Sequence, residues 1–356
     1  MNIQMRKSIY VILAMLVVAG FAITSCSDDD APVKADTSVL MDSINAAKDL
    51  IADTDEGVND GQFPAGAKAI VQAAITAAQT VADNTAASQT EVDNAISSLH
   101  QVLDAYRAKV IKPIAQEALV GHWAFDEGTG TTVSDETAHH FNGTFKTGHA
   151  LWGAGTPTWA TDRFGVANKA LHFDKGGNVE VPYNAALNPQ KMTISVWMKQ
   201  DVNNPIVNNQ YMIALNRWNG YKLNMQNDPK AFFTMKVNTD GGVKGYDHDN
   251  ADPIVTQGLW WHVVVTFGDG HMIFYLNGEQ VKDWNDTPGT GISLSANPIN
   301  LVFGQDLPTN KYDDVDGSDF FVDWGGYFIG AMDDIRIYNT PLTASQVQTI
   351  YTREKP

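Results

Sequence analysis

The stretch HVVVTFGDGHMIFYLNGEQV, residues 262–281, contains two apolar runs and the turn residues that bound them. The runs are rich in β-branched and aromatic residues, which favour strands. Asn277 and Gly278 stand between apolar runs and predict a two-residue hairpin turn. Similar short runs, among them TISVWMK, INLVFG and DIRIY, recur between residues 119 and 338 without a long helical pattern. Residues 119–354 are therefore predicted to form an all-β antiparallel sandwich that ends in one short helix capped by Thr343.

Residues 38–112 have a different composition, rich in Ala and without Trp, with apolar residues at helical spacing. Ser88 and Glu91 predict a capping box, and the breaks DTDEGVNDGQ and DNTAAS separate three helices. This segment is predicted to be a small all-α three-helix bundle, so the chain is multidomain. The predicted buried faces are Leu40, Ile44, Ala47 and Ile51; Ile70, Ala74, Ala77, Ala78 and Val81; and Val92, Ile96, Leu99, Val102, Leu103 and Tyr106.

The N-terminus has the pattern of a secretory signal peptide, predicted over residues 1–25. Arg6 and Lys7 precede the apolar run IYVILAMLVVAGFAI. The run ends in ITSC, which resembles a bacterial lipobox, and this resemblance implies that Cys26 is lipidated. A plain signal peptide with an incidental cysteine is the alternative.

The segment 26–37 is predicted to be a lipidated, acidic linker. Its SDDD sequence, residues 27–30, resembles the surface-export signal of Bacteroidetes lipoproteins, although an acidic flexible linker has the same appearance. The resemblance implies a lipid-anchored protein of the outer membrane, displayed on the cell surface.

The overall charge limits the class of partner. The chain has 24 Lys and Arg residues against 41 Asp and Glu residues, a formal net charge of -17. Such a surface disfavours nucleic acid and anionic membrane surfaces and is compatible with neutral ligands and with calcium. The chain has one cysteine, so it forms no internal disulfide.

Two family resemblances follow from these segments. Residues 119–354 resemble laminin-G-like, concanavalin A-like jelly rolls, which implies a fold that binds carbohydrate or protein. Residues 38–112 resemble the FIVAR-like helical modules of bacterial surface proteins, which implies a spacer or a glycan-contacting module. The matching segments are GHWAFDEGTGTTVSDETAHHFNGTF, ALHFDKGGNVEVP, MTISVWMK, GLWWHVVVTFGDGHMIFYLNGEQV and FIGAMDDIRIYNTPLTASQVQTIY in the jelly roll, and GQFP and TEVDNAISSL in the helical module.

Two adjacent carboxylates interrupt the last predicted strand, YFIGAMDDIRIYNT, residues 327–340. At the strand period of two, Asp333 shares a face with the apolar residues Ala331, Ile335 and Ile337. A buried carboxylate without a partner costs several kcal/mol. The sequence therefore predicts a partner for Asp333.

The jelly-roll resemblance implies that this partner is a structural calcium ion held between the first and last strands. Calcium binds six to eight oxygen atoms, so it takes carboxylates from distant parts of a chain. The implied ligands are Asp126, Asp135, Asn142 and Asp333, with Asp334 added if a bulge re-aims it. The alternative is that Asp333 accepts backbone N–H bonds at a bulge and binds no metal.

Several aromatic residues lie in Gly-, Asn- or Asp-rich segments, where a ring can stack on the apolar face of a sugar. Each is equally compatible with a buried anchor for its loop. The candidate ligand-binding residues are Trp218, Tyr221, Trp284, Tyr312 and Trp324.

These patterns predict a non-catalytic cell-surface lipoprotein that captures oligo- or polysaccharide for an outer-membrane uptake system, as in polysaccharide utilisation. A surface adhesin or scaffold that binds protein partners is the alternative, and a glycan-active enzyme is the third hypothesis. The enzyme is disfavoured because residues 119–338 lack the Glu-x-Asp-x-x-Glu strand typical of glycosidases on concanavalin-like folds.

Overall fold

The computed structural model describes residues 34–202, 209–226 and 228–356, so the predicted signal peptide and Cys26 lie outside it. Within these ranges, no helix has the length and apolar character needed to cross a membrane. The helices are α1 (Ser38–Ala52), α2 (Ala67–Asp83), α3 (Gln89–Arg107) and α4 (Ala344–Glu354). The strands are β1 (Leu119–Trp123), β2 (Thr132–Val133), β3 (Gly143–Lys146), β4 (Thr158–Ala160), β5 (Ala170–Phe173), β6 (Asn178–Val181), β7 (Met192–Gln200), β8 (Gln210–Leu215), β9 (Tyr221–Met225), β10 (Ala231–Thr239), β11 (Gly242–Asp249), β12 (Trp261–Gly268), β13 (Gly270–Leu276), β14 (Glu279–Thr287), β15 (Thr290–Gly291), β16 (Leu301–Phe303) and β17 (Gly330–Tyr338).

The three predicted N-terminal helices are confirmed, and Ser88 forms the predicted capping box with Glu91 at the start of α3. The buried face of α2 differs from the prediction. Ile70 is 52% exposed, whereas Val71 and Ile75 are buried. Two neighbouring stripes of α2 both have helical spacing, and the bundle buries the one that carries Val71 and Ile75.

The second unit is the predicted antiparallel jelly-roll sandwich of two sheets. Sheet 1 has the order β14-β13-β12-β7-β17-β5-β4, with β1 also paired to β17. Sheet 2 has the order β11-β10-β9-β8-β16-β6-β3-β2, with β15 also paired to β10. The main hydrophobic core lies between the sheets and includes Trp123, Phe233 and Phe303.

The hairpin predicted at residues 277–278 connects β13 to β14. Asn277 and Gly278 both have positive φ, at 50° and 80°. This is the backbone conformation that a two-residue turn of this class requires, and Asn-Gly adopts it at low cost.

A β-bulge in β17 changes which residues face the core. The pairing of β17 with β7 shifts between Asp333 and Arg336, and Asp334 has a positive φ of 53°. Met332 before the bulge and Ile335 after it both pack in the core. The two aspartates between them therefore lie on the outer face of sheet 1, and the expectation that Asp333 shares the apolar face of Ile335 was wrong.

Helix α4 covers part of this outer face and also contacts the helical bundle. Its Val347 and Ile350 pack with Val264 and Tyr275 of sheet 1. At its C-terminal end, Arg353 donates a 2.8 Å hydrogen bond to the carbonyl of Val58 in the α1–α2 loop, and Arg353 also contacts Asn59. The predicted Thr343 cap is present as a capping box with Gln346.

A fully buried histidine lies in the layer beneath α4. His262 Nε2 shares a 2.8 Å hydrogen bond with Ser195 Oγ, and its Nδ1 has no hydrogen-bond partner among the described residues. Trp197 stacks on one side at 5.1 Å. Burial lowers the pKa of His262 from 6.5 to about 3, with the positive charges of Arg336 and Arg163 acting in the same direction and Asp334 opposing them.

This burial predicts an acid-dependent loss of stability. Between pH 6.5 and pH 3 the unfolded chain holds a proton on His262 that the folded chain does not, so the free energy of unfolding falls as pH falls. From pH 6.5 to 4.5 we expect the wild type to lose about 2.5 kcal/mol more than His262→Gln, because each pH unit contributes about 1.4 kcal/mol. Urea unfolding of both proteins at each pH measures the difference. Parallel pH profiles for the two would contradict it.

Candidate functional site

An aromatic surface lies where the 305–327 segment meets the turn between β8 and β9. The rings of Trp218 and Trp324 are 5.8 Å apart at 54°, and Phe321 meets Trp324 edge-on at 5.6 Å. Trp218 is partly buried, whereas Trp324 is 42% exposed. We call Trp218, Phe321 and Trp324 the aromatic platform.

Arg217 holds the platform together from below. Its side chain is almost completely buried and pairs through Nε with the carboxylate of Asp306. Its Nη1 donates to the carbonyls of Asp319 at 3.0 Å and Phe321 at 3.2 Å. The guanidinium also lies 4.7 Å from the ring centroid of Trp218. One side chain thus fixes the 305–327 segment against the β8–β9 turn.

Asp306 is the fully buried acceptor of this arrangement. Its carboxylate accepts from Arg217, from the Tyr312 hydroxyl and from the Gly326 N–H. Burial raises the pKa of Asp306, and the charge of Arg217 and the Tyr312 hydrogen bond oppose that rise. Burial and the neighbouring Asp306 raise the pKa of Tyr312 well above its usual value, so its hydroxyl stays a donor. Breaking such a buried pair leaves an uncompensated charge and costs several kcal/mol.

A cleft of about 650 Å³, lined by both polar and apolar residues, adjoins the platform. Its wall includes Asn219, Lys311 and Asp319, together with the 292–299 loop. The Asp319 carboxylate accepts from Trp218 Nε1 at 3.3 Å and from Asn219 Nδ2 at 2.9 Å, so this cleft residue is hydrogen-bonded to the platform. Ring faces next to oriented amide and carboxylate groups can bind a ligand that is apolar on one face and hydroxylated at its edges.

The structure brings together three of the five predicted ligand-binding aromatics. Trp218 and Trp324 form the platform, and Tyr312 is partly buried beside Arg217 and Asp306. Tyr221 does not belong to this site, which corrects the prediction. It is fully buried in the sandwich core, where its hydroxyl donates to the Leu187 carbonyl at 2.7 Å, because alternate residues of β9 face inwards.

Trp284 lies elsewhere, on the edge strand β14 of sheet 1. Its ring stacks on His248 at 4.3 Å, and its Nε1 donates to the Asp249 carbonyl at 2.9 Å. Since His248 and Asp249 belong to the edge strand of sheet 2, Trp284 joins the edges of the two sheets. It is separate from the platform and anchors an edge.

The structure does not bring the four predicted calcium ligands together. Asp135 is buried, and its carboxylate accepts from the N–H groups of His122, Thr137 and Phe141 and from the Thr137 hydroxyl. Asn142 accepts from the Asp135 N–H. Asp126 is exposed and faces Lys169. Asp135 and Asn142 thus form a local hydrogen-bonded turn that Asp126 does not join.

Asp333 faces the guanidinium of Arg163. Arg163 contacts both Asp333 and Asp334, and Asp334 also accepts from His122 at 2.7 Å and from Arg336 at 3.0 Å. Burial raises the pKa of Asp333 to about 8, with the charge of Arg163 opposing the rise. Burial also acts to raise the pKa of Asp334, but His122, Arg336 and Arg163 outweigh it and hold that pKa below its usual range.

No group of three or more His, Cys, Asp or Glu side chains is arranged to hold a metal ion in the part of the chain that the structure describes. Calcium therefore stays a prediction from the sequence, and Arg163 is a competing explanation for the buried Asp333. Arg163 lies in TDRFG, a segment that gave no signal of this role. Arg217 was visible only as a neighbour of Trp218 in LNRWNGYK.

The ion pair and the calcium ion make opposite predictions for a melting experiment. If Arg163 is the partner of Asp333, the protein melts at the same temperature with added calcium and with added chelator. The reason is that the native state then binds no calcium that could stabilise it. This is the result we expect. A rise in melting temperature with calcium that disappears in Asp333→Asn but persists in Asp269→Asn, at an exposed ion pair with Lys191, would instead support calcium at this position.

Comparison with known proteins agrees with the fold. A family described as the concanavalin A-like lectin/glucanases superfamily matches residues 173–348, so this segment is a concanavalin A-like jelly-roll domain. A comparison with curated protein sequences gave no match.

Solved structures with similar folds include domain 4 of AbnA, a GH43 extracellular arabinanase from Geobacillus stearothermophilus, in complex with arabinotriose. Its TM-score is 0.48 at 19% identity, over 65% of this chain and 98% of that chain. The binding domain of Paraclostridial Mosquitocidal Protein 1 has a TM-score of 0.47 at 17% identity, over 67% of this chain and 52% of that chain. The binding domain of Botulinum neurotoxin DC in complex with rat synaptotagmin II has a TM-score of 0.45 at 12% identity, with the same coverage. This chain thus spans about half the length of the latter two.

Proposed function

We propose that this concanavalin A-like domain binds oligo- or polysaccharide, without catalysis, at the aromatic platform and the adjoining cleft. The observation that carries the proposal is the pairing of Trp218 and Trp324 beside a cleft lined by Asn219 and Asp319. The lectin and glucanase members named in the family description support saccharide as the ligand class.

The chemistry of the platform suits a sugar. A pyranose ring has an apolar face of C–H groups that stacks on indole, and its hydroxyls bond to neighbouring amides and carboxylates. Asn219 and Asp319 are held in place by their mutual hydrogen bond, and Lys236 donates to Asn219 Oδ1 at 3.3 Å. These groups are therefore oriented before a ligand arrives, which lowers the entropic cost of binding.

The cleft also bears on the choice between binding and hydrolysis. Among the described residues that line it, Asp319 supplies the one carboxylate, and the N–H groups of Trp218 and Asn219 engage it. Glycoside hydrolysis uses two carboxyl groups flanking the scissile bond. This composition supports a binding site.

The proposal also includes display on the cell surface. We propose that Cys26 is the lipidated first residue of the mature protein and that the acidic linker follows it. The domain would then capture glycan at the cell surface for an outer-membrane uptake system. The sequences ITSC and SDDD support this placement. The helical module would then act as a spacer.

The platform predicts which tryptophans matter for binding. Trp218→Ala and Trp324→Ala should each weaken glycan binding by about 30-fold, because losing a central stacking aromatic costs about 2 kcal/mol. Trp284→Ala is the matched control, since it removes an indole from β14, the edge strand of the other sheet, which makes no contact with the platform rings among the described ring pairs. A glycan array identifies a ligand, and isothermal titration measures each affinity.

Two results would contradict the proposal. The first is a blank array together with specific capture of a protein, which would indicate an adhesin. The second is full affinity in both platform variants with loss in Trp284→Ala, which would place the site at the edge of the sandwich.

The anchor has its own test. Cys26→Ala should abolish incorporation of labelled fatty acid and move the protein from the membrane fraction to the soluble fraction, because a lipidated cysteine is the proposed attachment. Replacing Asp28, Asp29 and Asp30 by Ala should keep the lipid but remove protease accessibility on intact cells. An unchanged membrane fraction in Cys26→Ala would show that the protein is held by other means.

A further inference from the structure

A groove with a volume of about 470 Å³ lies between α2 and α3 of the helical bundle. Its floor includes Ala78 and Leu99, which are at most 4% exposed, and its walls include the half-buried side chains of Val81 and Val102. These apolar residues also pack on the core of the bundle. The groove is therefore an apolar surface that the described part of the chain leaves uncovered.

The lining of the groove indicates what kind of ligand fits it. Glu91 is the one charged residue among the described residues that line the groove, and its carboxylate accepts from the Ser88 N–H at 2.7 Å and from the Ser88 hydroxyl at 2.9 Å. None of the described lining residues is aromatic, so the groove lacks the rings on which a sugar stacks. A hydrocarbon chain suits such a surface, because each methylene group that leaves water for an apolar surface lowers the free energy.

The described chain begins beside one end of this groove. Gln89, at the start of α3, accepts from the Asp36 N–H at 2.9 Å through its Oε1. This bond holds the residues before α1 against α3. Ala87 and Glu91, two residues before and two residues after Gln89, line the groove. The segment that precedes α1 therefore reaches the bundle at an end of the groove.

This end of the bundle lies away from the jelly roll. Helix α1 rises about 22 Å over its 15 residues, and the loop that follows it contacts α4 through Val58 and Arg353. The start of α1 is consequently the end of the bundle that is farther from the sandwich. Nine residues, 27–35, separate Cys26 from Asp36 and can span up to about 30 Å. A lipid on Cys26 can therefore reach the groove.

Resting on the proposed lipidation of Cys26, we propose that the groove between α2 and α3 binds an acyl chain of that lipid within the same molecule. The groove holds the chain while the protein is in water. In a bilayer the acyl chain has an apolar solvent and leaves the groove, so the groove covers the anchor only when the anchor is not inserted. The helical module then does more than space the jelly roll from the membrane, because it also shields the lipid.

The single cysteine of the chain allows a direct test. A hexadecyl chain that ends in a polarity-sensitive fluorophore is attached through a maleimide to Cys26 of the mature protein, residues 26–356. In buffer the fluorophore should emit as in an apolar solvent, and excess free palmitate should displace it. Dilution of the protein should not change the emission, because the contact is intramolecular. A polar emission, or an apolar emission that is lost on dilution, overturns the proposal.

Charges placed at the rim test whether the groove is the binding site. Ala77 on α2 and Ser98 on α3 are exposed residues of its lining. The double variant Ala77→Asp with Ser98→Asp should weaken binding of free palmitate to the mature Cys26→Ala protein by about 30-fold, because the acyl chain would then desolvate two carboxylates. The matched control is Ala73→Asp with Ser97→Asp, at exposed positions of the same two helices outside the described lining. The control should bind palmitate as its parent does.

Thermal melting separates loss of binding from loss of the fold. Both double variants place two carboxylates on exposed positions of α2 and α3, so they should melt at similar temperatures. Full palmitate binding in both, or an equal loss in both, overturns the assignment of the groove.

The outcomes distinguish this inference from the proposed function. If labelled fatty acid is incorporated at Cys26 in cells but palmitate does not bind to the mature Cys26→Ala protein, the groove proposal fails and the anchor stands. If Cys26 incorporates no fatty acid, the anchor fails and this inference fails with it. Glycan binding at Trp218 and Trp324 is independent of both results, since the array measures it separately.

Discussion

The proposed binding surface depends on the buried pair between Arg217 and Asp306. The 305–327 segment has little regular structure, so side-chain contacts must hold it on sheet 2. Arg217 supplies them by binding one carboxylate and two backbone carbonyls of the same segment. A buried ion pair adds little net stability compared with apolar packing, but removing one partner is strongly destabilising. The pair therefore acts mainly by allowing a single position for the segment and for Trp324.

A similar arrangement covers the other sheet. Asp334 is surrounded by His122, Arg163 and Arg336 beneath the end of α4. Arg336 also pairs with Glu354, the last residue of that helix, and Arg163 donates to the Glu354 carbonyl. The charged groups on each outer face thus attach a covering segment, α4 on sheet 1 and the 305–327 segment on sheet 2. Apolar residues stabilise the sandwich and the base of α4, and the ion pairs add directed contacts that position both covering segments.

Local signals in the sequence were sufficient for much of the fold. The Ser88 and Thr343 caps and the Asn277-Gly278 turn depend on residues within a few positions of one another, and all three appear in the structure. The surroundings of Asp333 could not be predicted in this way, because a bulge in β17 changes which face of the sheet the side chains occupy. A period-two pattern does not show which residue of a strand will take a positive φ. The partner of Asp333, Arg163, is 170 residues away in the chain. Proximity of that kind arises from the topology of the whole sheet.

The same limit applies to the site. Trp218 and Tyr221 are three residues apart and have similar surroundings in the sequence, yet one lies on the surface and the other in the core. The difference is set by where β9 begins, because alternation buries Tyr221 once the strand starts there. Trp218 precedes the strand and belongs to the turn. A shift of one residue in the start of β9 would exchange core and surface along the whole strand.

The hydrogen bond from Arg353 to Val58 has a mechanical consequence. It joins the last helix of the jelly roll to the loop between the first two helices of the bundle, at a point 295 residues apart in sequence. The bundle is consequently joined to the sandwich at two places, through the chain at residues 108–118 and through α4. A body linked twice cannot pivot freely as a body on one flexible link can. The bundle thus swings less relative to the jelly roll than it would on the chain connection alone, and a pull on α1 is partly transmitted to α4.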